Sequence, residues 1–81
     1  MASWNGRHPS VAHFGPHFEF AHLPAHLQQV SQRFHELAGG LLDSLSDGPE
    51  LSACLRKLVE AKDCAVRQAV QDKTRNVDGE V

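Results

Sequence analysis

The sequence predicts an all-α fold, an antiparallel αα-hairpin with a short N-terminal arm that assembles into a helical homo-oligomer. Residues 24–45 and 50–73 repeat apolar side chains every three or four positions, as the buried face of a helix does. Because only a short turn joins these stretches, the two helices are expected to run antiparallel. We divide the chain into an arm at 1–23, a hairpin domain at 24–73 and a flexible tail at 74–81.

The length and the charge of the chain limit its function. A chain of 81 residues has a marginal core, since folding at this size buries only ~60% of the unfolded surface. Such a chain is more typical of a module stabilised by self-association than of an enzyme with an elaborate cleft. The net charge of −2, with histidine neutral, argues against binding to duplex nucleic acid.

The arm at residues 1–23 combines chain-breaking residues with aromatic side chains. Two glycines and two prolines precede Phe18, and residues of these types interrupt regular structure. Phe18 and Phe20 lie on one side of an extended chain, which is strand-like spacing. We expect an ordered arm that packs these rings on the hairpin, and a ligand role for the rings stays open.

The first predicted helix, residues 24–45, has one apolar stripe. Pro24 suits its first turn, where the missing N–H costs nothing. Gly39 and Gly40 interrupt its interior, and we expect a kink there. The stripe consists of Leu23, Leu27, Val30, Phe34, Leu37, Leu41 and Leu45.

The predicted turn at residues 46–50 ends with signals for the start of a helix. Asp47 and Glu50 have the spacing of a capping box, with Asp in place of the usual Ser or Thr. Pro49 suits an early helical position. We therefore expect the second helix to begin here.

The second predicted helix, residues 50–73, has a wide apolar face. One stripe contains Leu51, Leu55, Leu58, Ala65 and Ala69, and an offset stripe contains Val59, Val66 and Val70. This combined face is wider than a two-helix hairpin covers, so the sequence predicts oligomerisation. On the remaining face we expect two ion pairs at i,i+4 spacing, Arg56 with Glu60 and Asp63 with Arg67.

The histidines suggest a metal site only weakly. Two pairs have the i,i+4 spacing that brings ligands together on a helix, His13 with His17 and His22 with His26. Prolines lie within both pairs, and no Cys-x-x-Cys or His-Glu-x-x-His motif accompanies them. We therefore predict no metal ligands, and a histidine-metal module is kept as a minor alternative.

The sequence predicts neither catalysis nor a cofactor. Cys54 lies beside the Leu51–Leu58 stripe and is interpreted as a small core residue, while Cys64 is more ambiguous. No Gly-rich nucleophile elbow or phosphate loop is present in the sequence. Two cysteines, no apolar signal region and no 18-residue apolar run predict a soluble protein of a reducing cytoplasm that does not cross a membrane.

A small anionic ligand fits the remaining residues better. The cations of the two helices, repeated by symmetry in an oligomer, can converge on phosphates, while aromatic side chains of the arm can stack on purine bases. Any one such cation is more typical of a solvated surface. The cations are Arg33 on the first helix and Arg56, Lys57, Lys62 and Arg67 on the second.

Two stretches carry a family resemblance, FEFAHLP at residues 18–24 and LRKLVEAKDCAVRQA at residues 55–69. Together they resemble the hairpin domain of phage immune-evasion sponges, the anti-CBASS and anti-Thoeris proteins that sequester cyclic nucleotides. The match covers roughly residues 18–72, and its most specific parts are the Glu-Ala-Lys-Asp core and the aromatic-His-Pro segment. The sequence departs from the family pattern in having no tyrosine, and its arm before Phe18 has no counterpart.

The resemblance implies a helical protomer, commonly a homohexamer, that binds cyclic di- or trinucleotides, or related ADP-ribose-derived signals, without hydrolysing them. It implies action in the cytoplasm of the infected bacterial host. The residues that it implies for ligand binding are Phe18, Phe20, His22, Arg33, Lys62 and Arg67. The alternative is a helical oligomerisation or protein-interaction module without a nucleotide ligand.

Overall fold

The protein is all-helical in the computed structural model, which describes residues 4–77 and the side chains as far as Thr74. No strand occurs within those residues, so the all-α prediction is confirmed. None of the helices in this range has the length and apolar character needed to cross a membrane. The elements are helix α1 (Pro9–Ala12), a 3-10 helix (Gly15–Phe18), helix α2 (Ala25–Ser44) and helix α3 (Pro49–Val77).

Helix α2 begins and ends within one residue of its predicted limits. Pro24 lies just before it, and the Pro24 carbonyl accepts hydrogen bonds from the backbone N–H groups of Leu27 and Gln28 at 2.9 Å. The Gln28 side chain donates to the Leu23 carbonyl at 2.7 Å and ties the preceding loop to the helix. The helix continues through Gly39 and Gly40 without interruption.

The buried face of α2 is offset from the predicted apolar stripe. Its buried residues are Leu27, Ser31, Ala38 and Leu42. Leu37 and Leu45, which the stripe placed in the core, are 49% and 46% exposed. The reason is that the arm packs where α2 presents small side chains, since Ala38 shares its core cluster with Phe14 and Phe18.

The arm is folded into two short helical turns. Val11, Phe14 and Phe18 are buried in one cluster with residues of α2 and α3, as expected for an arm that packs on the long helices. The indole of Trp4 stacks on the Phe18 ring, with 5.8 Å between centroids and 8° between planes. The strand-like interpretation of Phe18 to Phe20 is wrong, because Phe18 ends the 3-10 helix.

Asp47 anchors the arm, a role that the capping-box prediction did not include. Its Oδ1 lies 2.8 Å from Nε of Arg7, and its Oδ2 accepts the backbone N–H of His8 at 2.8 Å. Arg7 also donates to the Leu42 and Leu45 carbonyls, at 3.2 and 2.8 Å. The guanidinium therefore satisfies carbonyls at the end of α2, where a cation is also favoured by the helix dipole.

Helix α3 is longer than the sequence predicted. Its 29 residues span about 43 Å, whereas the 20 residues of α2 span about 30 Å. Residues 74–77, expected in a flexible tail, form its last turn, and residues 78–81 lie outside the described residues, as do residues 1–3 of the arm. The extra length gives the molecule its longest dimension of 47 Å.

The two ion pairs predicted on α3 are absent from the described side chains. Asp63 instead pairs with its neighbour Lys62, with 3.0 Å between Nζ and Oδ1. Arg67 donates to Sγ of Cys64 at 3.3 Å. The i,i+4 spacing makes such ion pairs possible, but an exposed ion pair stabilises a helix too little to fix the side chains in that geometry.

Candidate functional site

A cleft of about 340 Å³ lies between the arm and α3, and we call it the cationic cleft. Three residues implied for ligand binding line it together, His22 from the loop before α2 and Lys62 and Arg67 from α3. The remaining lining residues are Pro16, His17, Glu19, Leu23, Asp63 and Val66. Folding therefore brings residues of the two family-like stretches to one surface.

The cations of this cleft differ in their partners. The Lys62 side chain is only 15% exposed and is paired with Asp63. Arg67 is exposed, and within the described side chains its guanidinium hydrogen-bonds to the Cys64 sulfur alone. Because a thiol is a weak acceptor, this guanidinium keeps donors available for a strong acceptor such as phosphate.

A second cleft of about 340 Å³, the aromatic cleft, is lined by Glu19, Phe20, Ala21, His22 and His35. The Phe20 and His35 rings meet edge to face, with 5.1 Å between centroids and 64° between planes. Phe20 is half-buried, which leaves part of its ring accessible. Exposed aromatic rings of this kind stack on nucleic-acid bases with little dependence on sequence.

His35 holds the arm beside this cleft. Its Nδ1 lies 3.2 Å from the Phe18 carbonyl, so α2 is joined to the segment that leads into Phe20. The same imidazole supplies one wall of the aromatic cleft. His35 therefore fixes the position of Phe20 through one hydrogen bond and one ring contact.

The two clefts share Glu19 and His22. The segment at 19–22 consequently contributes to both, with an aromatic cleft on one side and a cationic cleft on the other.

The structure does not place all six implied residues at this site. Phe18 is fully buried and stacked on Trp4, so its ring is part of the core and has no face for a ligand. Arg33 is exposed on α2 and lines neither cleft. Sequence reasoning missed Glu19 and His35, because their positions depend on how the arm packs rather than on local spacing.

A third cleft, of about 480 Å³, lies where α1 meets the start of α3. Its polar groups mostly bond to one another. The Ser52 hydroxyl donates to the Ser10 carbonyl at 2.9 Å, Nδ1 of His8 lies 2.9 Å from the Ser10 hydroxyl, and Asp47 is bound by the arm. We therefore interpret this larger cleft as the junction that anchors the arm.

The described residues contain no group of three or more His, Cys, Asp or Glu side chains placed to hold a metal ion. Both cysteines are free thiols, with Cys54 half-buried and Cys64 exposed.

Comparison with known proteins yields no matching family model, no similar curated protein and no similar solved structure. The argument for function accordingly depends on the residues of the two clefts.

Proposed function

We propose that the protein binds and sequesters a cyclic oligonucleotide second messenger without hydrolysing it. In this proposal it is a phage-type immune-evasion protein that acts in the cytoplasm of the infected bacterial host. The observation that supports it is the adjacency of the cationic and aromatic clefts across residues 19–22. A cyclic oligonucleotide carries base and phosphate close together, and the pair of clefts suits that combination.

Phosphate binding is assigned to Lys62 and Arg67. The Arg67 guanidinium has donors free of any carboxylate within the described side chains, and planar guanidinium groups bind phosphate with two parallel hydrogen bonds. Lys62 adds a point charge from the preceding turn of α3, partly offset by Asp63. His22 lies between these cations and the aromatic cleft.

Base binding is assigned to Phe20, with His35 as its support. The edge-to-face contact between the two rings restricts Phe20 and leaves part of it exposed. A ring that is already held in place loses little conformational entropy when a ligand stacks on it. Sequestration requires tight binding and slow release of the ligand. Differences in affinity between related complexes usually arise from the dissociation rate.

We further propose that α2 and α3 form an antiparallel hairpin that assembles into a homohexamer. Leu37, Leu45 and Val70 are large apolar residues exposed on the protomer, and covering them in an assembly would remove apolar surface from water. In the assembly Arg33 of one protomer would complete the phosphate site of another, because it lies outside the clefts of its own chain.

Isothermal titration calorimetry tests the binding proposal. The panel contains cyclic dinucleotides, cyclic trinucleotides and ADP-ribose-derived signals. We expect at least one to bind at or below micromolar concentration, and Arg67→Ala to weaken it about tenfold, as loss of a charged hydrogen-bonded contact does. The exposed Arg56 lines the third cleft and lies outside the cationic and aromatic clefts, so it supplies the control variant Arg56→Ala.

The proposal fails if no member of the panel binds at micromolar concentration. Equal affinities of the wild-type protein and Arg67→Ala for every ligand would remove Arg67 from the site. Ligand recovered unaltered after the protein is denatured distinguishes a sponge from a hydrolase.

The second candidate is a helical oligomerisation or protein-interaction module without a nucleotide ligand. The exposed Leu37, Leu45 and Val70 favour it independently of the clefts. It predicts a stable oligomer, or a stoichiometric protein complex, together with no heat in any of the nucleotide titrations.

A further inference from the structure

Glu19 lies where the two clefts meet, and its carboxylate has no hydrogen-bond or ion-pair partner within the described side chains. Its backbone N–H donates to the Pro16 carbonyl at 3.3 Å, which fixes Glu19 at the end of the 3-10 helix. The backbone of Glu19 is therefore held in place, and its side chain is exposed where the two clefts meet.

An unpartnered carboxylate is unexpected beside a phosphate site. It repels the phosphates of any nucleotide, and this repulsion is larger near a protein surface than in bulk water. The Glu19 carboxylate can increase the affinity for a ligand only if that ligand has hydrogen-bond donors that reach it. Since Glu19 also lines the aromatic cleft with Phe20, those donors would come from the edge of a base stacked on that ring.

The bases differ in the donors they offer. Guanine has two adjacent donors on its Watson–Crick edge, the ring N1–H and the exocyclic amino group, and they match the two oxygens of one carboxylate. Adenine and cytosine place an acceptor beside their amino group, so the second carboxylate oxygen would face a lone pair. A carboxylate therefore favours guanine over the other bases.

We propose that Glu19 is a specificity-determining residue that selects guanine in the aromatic cleft. This inference rests on the proposed nucleotide binding and adds a base identity to it. Bases recognised through hydrogen bonds discriminate strongly, because the wrong base leaves polar groups of the site unpaired.

Three cyclic dinucleotides test the assignment by calorimetry, cyclic di-GMP, cyclic di-AMP and cyclic di-IMP. The inosine ligand keeps the N1–H of guanine and lacks its amino group. We expect the wild-type protein to bind cyclic di-GMP about tenfold or more tightly than cyclic di-AMP, with cyclic di-IMP between them, as a bidentate base contact does.

The variant Glu19→Gln is expected to reduce the preference for guanine to about twofold or less, because an amide NH2 replaces one of the two carboxylate oxygens and would face one of the guanine donors. It should bind cyclic di-AMP as tightly as the wild-type protein or more tightly, since the repulsion of phosphate is removed. Glu60→Gln is the matched control, because Glu60 is an exposed glutamate on α3 that lines neither cleft.

A wild-type protein that binds all three ligands equally, or a Glu19→Gln variant that keeps the guanine preference, overturns the role of Glu19 and leaves the proposed function standing. Absence of binding to all three overturns the guanine assignment. The wider nucleotide panel then decides separately whether the protein binds a nucleotide at all.

Discussion

Phe18 and Phe20 are two residues apart and have different roles in the structure. Phe18 is fully buried against Trp4, whereas Phe20 is half-buried at the edge of the aromatic cleft. The sequence identified both as candidate stacking residues but had no means of separating them. The separation arises because the 3-10 helix directs one ring into the core, which is a consequence of tertiary packing.

This difference predicts that alanine at Phe18 mainly lowers stability, whereas alanine at Phe20 mainly lowers ligand affinity. Phe18→Ala should lower the free energy of unfolding by about 3–5 kcal/mol, as loss of a fully buried phenylalanine does. Phe20→Ala should lower it by less and should weaken nucleotide binding, since stacking on one base is worth about 1–3 kcal/mol. Urea denaturation and calorimetry measure the two quantities. A Phe20→Ala variant with unchanged affinity for every ligand would contradict the assignment.

His35 provides a second residue-scale prediction. His35→Ala should reduce the affinity for a nucleotide several-fold, because Phe20 loses its ring contact and the Phe18 carbonyl loses its partner. His35→Asn should recover part of the affinity, since an amide N–H can replace Nδ1, a bond worth about 0.5–1.5 kcal/mol. His26→Ala is the control, because His26 lies on α2 outside both clefts. Equal affinities of the alanine and asparagine variants would show that the hydrogen bond from His35 to the Phe18 carbonyl does not position Phe20.

At the scale of elements, local sequence rules gave accurate starts for the two long helices and less accurate helix faces. Pro24 and the turn before Pro49 mark where α2 and α3 begin, because proline is compatible with the first turn of a helix. The buried face of α2 is offset because Ser31 and Ala38 are small enough to pack under other elements. The choice of face depends on the arm, and periodicity within one helix does not contain that information.

The arm is attached to the long helices by Arg7 and Asp47, and this element-scale contact predicts non-additive variants. Arg7→Ala and Asp47→Ala should each lower the free energy of unfolding by about 1 kcal/mol, since the pair is partly exposed. A double-mutant cycle by urea denaturation should give a coupling energy of about 0.5–1 kcal/mol. Lys57→Ala, at an exposed position, should change stability by about 0.5 kcal/mol or less. Strictly additive effects would mean that the pair does not hold the arm.

For the whole molecule, the sequence predicted the helical class, and four of the six residues proposed for ligand binding line the two clefts. His22, Lys62 and Arg67 were inferred from two separate stretches, and the structure brings them to one cleft. Assembly was inferred from the wide apolar face of the second predicted helix, and Val70 of that face is exposed in the structure.

The assembly proposal predicts that Val70→Glu lowers the molar mass in solution, because a charge would be placed in an apolar contact. Gln71→Glu adds the same charge at the next exposed position of α3 and should leave the mass unchanged. Light scattering measures both variants. A wild-type monomer would refute the oligomer, and an unchanged mass for Val70→Glu would place Val70 outside the interface.

The central claim is that the protein retains a cyclic oligonucleotide intact. The most direct measurement incubates the protein with the mixed panel of cyclic nucleotides, removes free ligand by gel filtration, denatures the protein and identifies the released compound by mass spectrometry. We predict an intact cyclic oligonucleotide, retained by the wild-type protein and lost from Arg67→Ala. Release of no nucleotide, or release of a linear product, would contradict the claim.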